Sequence, residues 1–311
     1  MIKILLKRFL HIVRRFFGTE QILGQLKKEM VAQNHRIDRI SSYLEFIHID
    51  DMRMRESIKY QNFMEIIPLL TPMDISGSKY RRIGRDYDGG YIMLDDFSSK
   101  KIDASYSFGI GDDVSWDEEI AEQGINIYMY DHTIKKLPKS NPRFHFYSVG
   151  VSGAPEEEDF ETLSNLIKRN GHETSKNLLL KMDIEGYEWS VFKETPSAVI
   201  GQFVQIVIEL HGLDPNKSKQ DLSQIVSVLR KINQTHQSIH VHANGTSTIN
   251  WIGNSVLPSV LEVTYIRRAD YADRLIQNTR IFPTEIDQPT FPELPDVQLG
   301  TFTTPQFKTE H

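Results

Sequence analysis

The spacing of apolar residues predicts that the chain begins with a helix that is apolar on one side and basic on the other. Apolar residues recur every three or four positions over residues 2–17, namely Ile2, Leu5, Leu6, Phe9, Ile12, Val13 and Phe16. The opposite face carries Lys3, Lys7, His11, Arg14 and Arg15, and the segment contains no acidic residue. Such a helix is typical of peripheral contact with an anionic membrane. The alternative is that residues 1–18 pack on the globular part of the same chain.

A second helical pattern, in residues 19–70, predicts that chains associate. Its apolar residues alternate spacings of three and four, which is typical of a coiled coil. The predicted seam consists of Leu23, Leu26, Met30, Gln33, Ile37, Ile40, Leu44 and Ile47. Gln33 is the one polar position of the seam and favours a single register. We therefore expect a homo-oligomer formed through residues 20–50, followed by a linker or connecting helix.

Over residues 71–270 the pattern changes to alternating strands and helices. Strands are predicted at residues 104–108, 125–130, 143–149, 178–182, 203–210, 238–241 and 260–266. Helices are predicted at residues 115–123, 160–168 and 220–232. This alternation indicates a parallel sheet covered on both faces, so the expected fold is α/β and Rossmann-like. The proline-rich tail, residues 271–311, is expected to be irregular.

Composition narrows the classes of function. The chain has 311 residues and a formal charge of −6, which argues against general nucleic-acid binding. It contains no cysteine, so thiolate nucleophiles, disulfides and thiolate metal sites are excluded. It also lacks a run of about 18 apolar residues, so no ordinary membrane span is expected. We expect a cytoplasmic protein that can lie peripherally on the inner face of the membrane.

A glycine-containing turn at the end of the first sheet strand is the first candidate ligand site. Gly109 and Gly111 let the backbone turn sharply and approach a ligand, and Asp131 ends the next strand, where a carboxylate can bind ribose hydroxyls. The alternative is a tight strand–helix turn without a ligand. The third glycine of the dinucleotide fingerprint is absent, and Asp112 and Asp113 would repel a pyrophosphate. These features favour S-adenosylmethionine, whose sulfonium and amino groups are cationic.

Two further segments contribute candidate residues for the donor and for catalysis. Asp183 follows the buried strand at residues 178–182, at the edge of the sheet where open α/β folds bind ligands. We assign it to donor binding, catalysis or both, with an acidic helix cap as the alternative. An earlier turn contains the paired glycines Gly89 and Gly90, which permit positive φ. The candidate donor-binding residues are therefore Gly89, Gly90, Gly109, Gly111, Asp112, Asp131 and Asp183.

Histidines near two strand ends offer three interpretations. Asp183, His211 and His242 could bind a divalent metal that orients an acceptor hydroxyl and lowers its pKa. Alternatively, His211 or His242 acts as a general base, or both are simply hydrogen-bonded at strand ends. If an antiparallel strand lies between those that carry the two histidines, they are separated by roughly 10 Å.

Six short motifs resemble the FkbM-type methyltransferases and the methyltransferase-like branch related to them. They lie at residues 88–91, 108–111, 130–131, 181–186, 208–211 and 261–265, and the Lys-x-Asp-x-Glu-Gly match at residues 181–186 is the most specific. The resemblance covers about residues 76–268. It implies a seven-stranded sheet whose last strand is antiparallel, S-adenosylmethionine as donor and O-methylation. Ser107 departs from the pattern, because many methyltransferases have an acidic residue there.

These observations predict a Rossmann-like seven-stranded methyltransferase sheet preceded by an amphipathic helix and a coiled coil. The expected activity is S-adenosylmethionine-dependent O-methylation of a carbohydrate hydroxyl in a surface glycan or glycolipid. The sequence does not decide whether the reaction requires a divalent metal. One alternative is an NAD-dependent oxidoreductase or nucleotide-sugar epimerase, although the usual Tyr-x-x-x-Lys pair is not evident in a suitable helix. The other is a non-enzymatic coiled-coil scaffold, against which Asp131 and Asp183 argue.

Overall fold

A mixed seven-stranded sheet organises the protein in the computed structural model, which describes residues 20–48, 56–155 and 159–305. The helices are α1 (Glu20–His48), α2 (Ile58–Leu70), α3 (Ser115–Glu122), α4 (Leu163–Arg169), α5 (Glu188–Glu194), α6 (Ser197–Ile200) and α7 (Lys219–Ile232). The first eight strands are β1 (Met73–Ile75), β2 (Tyr80–Ile83), β3 (Tyr91–Leu94), β4 (Ala104–Phe108), β5 (Ile127–Tyr130), β6 (Phe144–Tyr147), β7 (Gly150–Val151) and β8 (Phe160–Glu161). The others are β9 (Leu178–Met182), β10 (Phe203–His211), β11 (His236–Ala243), β12 (Ile249–Ile252), β13 (Ser255–Pro258), β14 (Val260–Arg267) and β15 (Leu275–Gln277).

The sheet has the strand order β11–β14–β10–β9–β4–β5–β6. Strand β14 runs antiparallel to both of its neighbours, β10 and β11, whereas the pairs from β10 to β6 are parallel. The prediction of an α/β fold with seven strands, the last of them antiparallel, is therefore confirmed. Every residue of β9 is buried, as are the first eight of β10, because helices cover one face of the central strands and α3 with the β2–β3 hairpin covers the other.

Helix α2 packs into the core of this sheet domain, although the predicted organisation places its residues in the N-terminal helical region. Its buried face consists of Phe63, Ile66, Ile67 and Leu70, and it packs against α7. The side chain of Asn62 donates hydrogen bonds to the backbone oxygens of Pro215 (2.7 Å) and Lys217 (2.9 Å). The apolar positions of α2 therefore serve the domain core.

Several short elements have no counterpart among the elements predicted from the sequence. Strands β2 and β3 form a hairpin whose turn contains Gly89, and β12 and β13 form another. The helix expected over residues 160–168 begins only at Leu163, because the Thr162 side chain caps it by accepting a hydrogen bond from the Asn165 N–H. The two residues before Thr162 instead form β8, which pairs with β7.

Helix α1 contains much of the predicted coiled-coil seam. Its Arg39 guanidinium donates a hydrogen bond to the backbone oxygen of Gly245 (2.6 Å), which fixes the helix against the sheet domain. Ile37 is 58% exposed and Ile40 is 60% exposed, so two seam positions face away from the chain. Pairing of two chains through this helix stays a prediction. The predicted amphipathic helix at residues 2–17 lies outside the described residues.

Within the described ranges, no helix combines the length and the apolar character that crossing a bilayer requires.

The C-terminal tail folds back onto the sheet. Strand β15 pairs with β1, and the irregular segment that comes after it buries Phe282, Val297, Leu299 and Phe302 in the main core. Two histidines of β11 bind carboxylates of the tail: His240 Nε2 lies 2.9 Å from Asp287 Oδ1, and His242 Nε2 lies 3.1 Å from Asp296 Oδ2. Burial opposes ionisation of Asp287, yet His240 holds the pKa of this carboxyl well below its usual range. The tail is therefore irregular but firmly attached.

We predict that Asp287→Asn loosens this attachment. The variant weakens the buried contact with His240 and replaces the oxygen that accepts from Thr284, and an unsatisfied buried hydrogen-bonding group costs about 1–3 kcal/mol. Urea unfolding of the full chain at pH 7 should show a loss of this size. The control is Asp273→Asn, an exposed position in the same part of the chain, where a change within about 0.5 kcal/mol is expected. Equal effects of the two variants would contradict the attachment.

Candidate active site

A cavity of about 550 Å³ opens at the carboxyl ends of β4, β5 and β9, three neighbouring strands of the sheet. This volume lies in the range of small-molecule sites. Its wall combines the turns after these strands with the β2–β3 hairpin turn. The wall includes glycines, tyrosines and charged residues, among them Gly89, Tyr91, Gly109, Gly111, Asp112, Asp117, Asp131, Lys181, Asp183 and Tyr187.

The glycine turn after β4 needs glycine at Gly109 for two reasons. Its φ is +75°, and a side chain there would place a Cβ atom 1.6 Å from the backbone oxygen of Asp183. Gly111 also has positive φ (+57°), but an added Cβ would meet no atom within 4 Å. Gly109 thus permits the close approach of two loops, and Gly111 leaves open space beside the cavity.

Asp131 holds the glycine turn in place. Its Oδ2 accepts hydrogen bonds from the backbone N–H groups of Ile110 (2.8 Å) and Gly111 (2.9 Å). Its Oδ1 accepts from the backbone and the hydroxyl of Thr133. Burial opposes ionisation, but the bonds from Gly111 and Thr133 lower the pKa of Asp131 below its ordinary value. Asp131 lines the cavity as expected, and its binding to ribose hydroxyls stays a prediction.

Asp183 offers a carboxylate oxygen without a partner. The Tyr91 hydroxyl lies 3.4 Å from its Oδ2 and donates to it, whereas its buried Oδ1 has no hydrogen-bond partner. Burial, together with repulsion from Glu209, raises the pKa of Asp183 to about 7. A carboxylate in this environment can take up a proton near neutral pH.

His211, at the end of β10, lies among three glutamates. Its Nδ1 is 3.1 Å from Glu188 Oε1, and its Nε2 is 3.3 Å from Glu209 Oε2 and 3.4 Å from Glu185 Oε2. Burial lowers the pKa of His211, but Glu188 and Glu209 outweigh this and raise it to about 11. The imidazole is therefore protonated at neutral pH, which does not favour the interpretation of His211 as a general base.

The predicted metal group is brought together only in part. Asp183, Glu209 and His211 each offer one atom within 4.8 Å of the others, an arrangement that can hold a divalent cation. His242 does not join them, because β14 lies between its strand and β10. Glu209 takes the expected place of His242, and its position two residues before His211 on one strand is the sequence signal for it.

His242 is committed to another set of contacts. It is buried, and its ring nitrogens lie 3.1 Å from Glu262 Oε2 and 3.1 Å from Asp296 Oδ2. Burial lowers its pKa, but Glu262 and Asp296 raise that pKa well above the ordinary value. A protonated histidine away from the cavity wall is unsuited to act as the base, so this interpretation is corrected. Its contacts fasten the tail.

The hairpin glycines and Asp112 are placed differently from one another. Gly89 lines the cavity, whereas Gly90 lies behind it, where a Cβ atom would come within 2.2 Å of the Arg85 backbone oxygen. Asp112 is exposed at the cavity wall. Gly89 and Asp112 are thus accessible from the cavity, whereas the buried Gly90 is not part of its wall.

Residues 93–236 match the family model for the methyltransferase FkbM domain. The chain carries an FkbM-type methyltransferase domain. The matched segment includes the glycine turn, Asp131, Asp183 and His211, and it ends before His242. No curated protein shows significant sequence similarity to the chain.

Three wall residues of the methyltransferase cavity were not predicted from the sequence. Asp117, in the first turn of α3, is only 1% exposed and neither of its carboxylate oxygens has a hydrogen-bond partner. Lys181 donates a hydrogen bond to the Gly109 backbone oxygen (2.9 Å), and Tyr91 binds Asp183. Lys181 lies inside the Lys-x-Asp-x-Glu-Gly motif, which was an available signal, whereas Asp117 resembles any acidic residue near a helix start.

The two glycines of the turn should differ in their tolerance of a methyl group. In Gly109→Ala, left-handed backbone strain and a clash with the Asp183 loop together should destabilise the methyltransferase by more than about 3 kcal/mol. Gly111→Ala adds only the strain, about 1–2 kcal/mol. Urea unfolding of both variants measures the difference. A loss at Gly111 as large as that at Gly109 would show that the two loops are not in contact.

Proposed function

We propose that this methyltransferase transfers a methyl group from S-adenosylmethionine to a hydroxyl group of a carbohydrate acceptor. The observation that carries the proposal is the single cavity that joins the glycine turn, Asp131 and the unpartnered oxygen of Asp183. A donor-binding turn and a proton acceptor are thereby adjacent, as group transfer to a hydroxyl requires.

The cavity wall suits a cationic nucleoside ligand. Asp112, Asp131 and Asp183 contribute carboxylates, and the glycine turn allows backbone approach. The excess of carboxylates opposes a bound pyrophosphate, so it disfavours NAD. S-adenosylmethionine, when bound, supplies an electrophilic methyl group on a sulfonium centre. Gly109, Gly111 and Asp131 are the residues that would hold it.

In the proposed mechanism, Asp183 is the general base. Its unpartnered Oδ1 accepts the proton of the acceptor hydroxyl while Tyr91 holds Oδ2. Gly109, Gly111 and Asp131 would hold the S-adenosylmethionine that supplies the methyl group, and the Asp183 carboxyl would retain the proton of the acceptor hydroxyl. A pKa of about 7 for this carboxyl suits proton transfer near neutral pH.

His211 supplies fixed positive charge beside the base. Its protonated ring lies between Glu188 and Glu209 and favours the ionised form of Asp183. The proposed mechanism uses this imidazolium in place of the divalent cation that Asp183, Glu209 and His211 could hold. A requirement for added metal would reverse this assignment.

The proposal of a carbohydrate acceptor is supported by aromatic residues in the cavity wall. Tyr187 is 49% exposed, and its ring lies 5.6 Å from that of Phe160 at an angle of 29°. Sugar rings present apolar C–H faces that pack on exposed aromatic rings. A surface glycan or glycolipid can bring such a ring to the cavity from outside.

The donor assignment predicts which nucleoside binds the full-length chain. Isothermal titration should show binding of S-adenosylhomocysteine and no measurable binding of NAD, because the acidic wall repels a pyrophosphate. Binding of NAD alone would replace the proposal with an oxidoreductase. Binding of neither nucleoside would favour the scaffold alternative.

The assignment of Asp183 predicts a specific kinetic defect. Asp183→Asn should lower kcat by about 10²- to 10⁴-fold, with little change in affinity for S-adenosylhomocysteine. Because the base must be ionised, wild-type kcat should rise with pH through about 7, whereas the variant should lack this rise. Transfer of radiolabelled methyl groups from S-adenosylmethionine to a glycolipid extract measures both.

Two controls accompany this experiment. Asp273→Asn changes an exposed carboxylate outside the cavity and should leave the rate unchanged. EDTA should also leave wild-type activity unchanged. A loss of activity that added Mg²⁺ or Mn²⁺ restores would assign the cluster to a metal instead, and an unaltered pH profile in Asp183→Asn would show that another group is the base.

A further inference from the structure

Asp117 is a buried carboxylate whose hydrogen bonding the protein leaves incomplete: the Ser107 hydroxyl lies nearby, but neither this hydroxyl nor the carboxylate oxygens have a hydrogen bond of good geometry. Only 1% of the residue is exposed, and neither Oδ1 nor Oδ2 has a hydrogen-bond partner. Burial raises the pKa of this carboxyl to about 6, although attraction from Lys181 and the nearby Ser107 hydroxyl oppose the shift. A buried polar group without a partner is costly unless a ligand, an ion or water completes its hydrogen bonding.

The position of Asp117 in the helix does not explain its burial. The dipole of α3 favours acidic residues in its first turn, but surface residues obtain the same benefit. Glu118, the next residue, lies in the same turn and forms a surface ion pair with Lys139 at 2.7 Å. Asp117 instead lines the cavity. A ligand, rather than the helix, accounts for this orientation.

The cationic side chains of the cavity wall are bound elsewhere. Lys181 donates to the Gly109 backbone oxygen at 2.9 Å, and Arg85 donates to the Asp88 backbone oxygen at 2.6 Å while lying 3.5 Å from Asp113. Asp131 has four hydrogen bonds of its own. Asp183 is assigned to the acceptor. Four other wall carboxylates are half-buried or exposed, namely Asp88, Asp112, Asp113 and Glu185. Asp117 is therefore the remaining buried carboxylate for a cationic group of the donor.

We propose that Asp117 binds the α-ammonium group of the methionine part of S-adenosylmethionine. This inference rests on the proposed function and names the residue that holds the amino-acid end of the donor. The glycine turn at Gly109 and Gly111 leads directly into α3, so the backbone that approaches the donor and the carboxylate that binds its ammonium belong to one continuous segment. The departure at Ser107, where many methyltransferases have an acid, leaves this role to Asp117.

The test compares two ligands on the full-length chain by isothermal titration. S-adenosylhomocysteine carries the α-ammonium group, whereas 5′-methylthioadenosine has the same nucleoside and lacks the amino-acid end. Asp117→Asn should raise the Kd for S-adenosylhomocysteine by about 10- to 100-fold, the effect of losing a charged hydrogen bond. The Kd for 5′-methylthioadenosine should change by less than about threefold, because this ligand has no ammonium group to lose a partner.

Matched variants separate recognition of the ammonium from general damage. Glu118→Gln removes a charge from the same helical turn at the surface and should change neither Kd. Asp131→Ala should weaken both ligands, because Asp131 holds the turn on which the nucleoside depends. Asp117→Asn should melt at the same or a higher temperature than the unliganded wild type, since it removes a carboxylate whose burial opposes its ionisation. Asp117→Ser provides a second substitution should the asparagine variant fold poorly.

The outcomes are distinct. If Asp117→Asn weakens the binding of both ligands equally, Asp117 contributes to the shape of the cavity rather than to recognition of the ammonium group. If the binding of S-adenosylhomocysteine is unchanged, Asp117 takes no part in donor recognition. Either result leaves the proposed function intact. If wild type binds neither ligand, the proposed function falls and the assignment of Asp117 falls with it.

Discussion

The contact between Gly109 and the backbone of Asp183 is the constraint on which the rest of the site depends. Strands β4 and β9 are paired in parallel, and the Asp183 N–H donates to the Phe108 backbone oxygen at 3.1 Å just beyond their last paired residues. The two loops can leave the sheet side by side only because Gly109 has no side chain. The part of the cavity that approaches the donor and the part that carries the proposed base are thereby fixed relative to each other by the backbone.

Around this contact, carboxylates differ in pKa and in hydrogen bonding because their surroundings differ. Asp131 is satisfied by four hydrogen bonds and has a lowered pKa, whereas burial raises the pKa of Asp183 to about 7. Asp117 is buried beside the same cavity without a hydrogen bond, and the glutamates around His211 keep that ring charged. The wall therefore carries these three carboxylates in different environments, and the charged His211 lies close to Asp183 without lining the cavity.

Local pattern was enough to predict the sheet but not all of the site. The run of leucines in β9 identifies a buried strand, and the position of Asp183 after it agrees with the rule for ligand sites in α/β folds. The sequence did not predict which residues pair across neighbouring strands. Glu262 pairs with Glu209 on one neighbouring strand and with His242 on the other, so β14 separates His242 from His211. The spacing of residues along the sequence does not reveal this pairing across strands. The role of Asp117 was equally hidden, because its burial depends on tertiary packing.

The folded tail ties the two ends of the described chain together. Arg39 of α1 donates to the backbone oxygens of both Gly245 and Pro295, so the first helix rests on a segment that is translated more than two hundred residues later. Gly245 and β12, which α1 also contacts, precede β14 in the chain, whereas Pro295 lies in the tail, so the docking place for α1 is complete only when the tail is present. The position of α1 therefore depends on the tail as well as on the sheet domain. Loss of the tail segment that contains Pro295 would therefore weaken the attachment of α1, at the opposite end of the described chain.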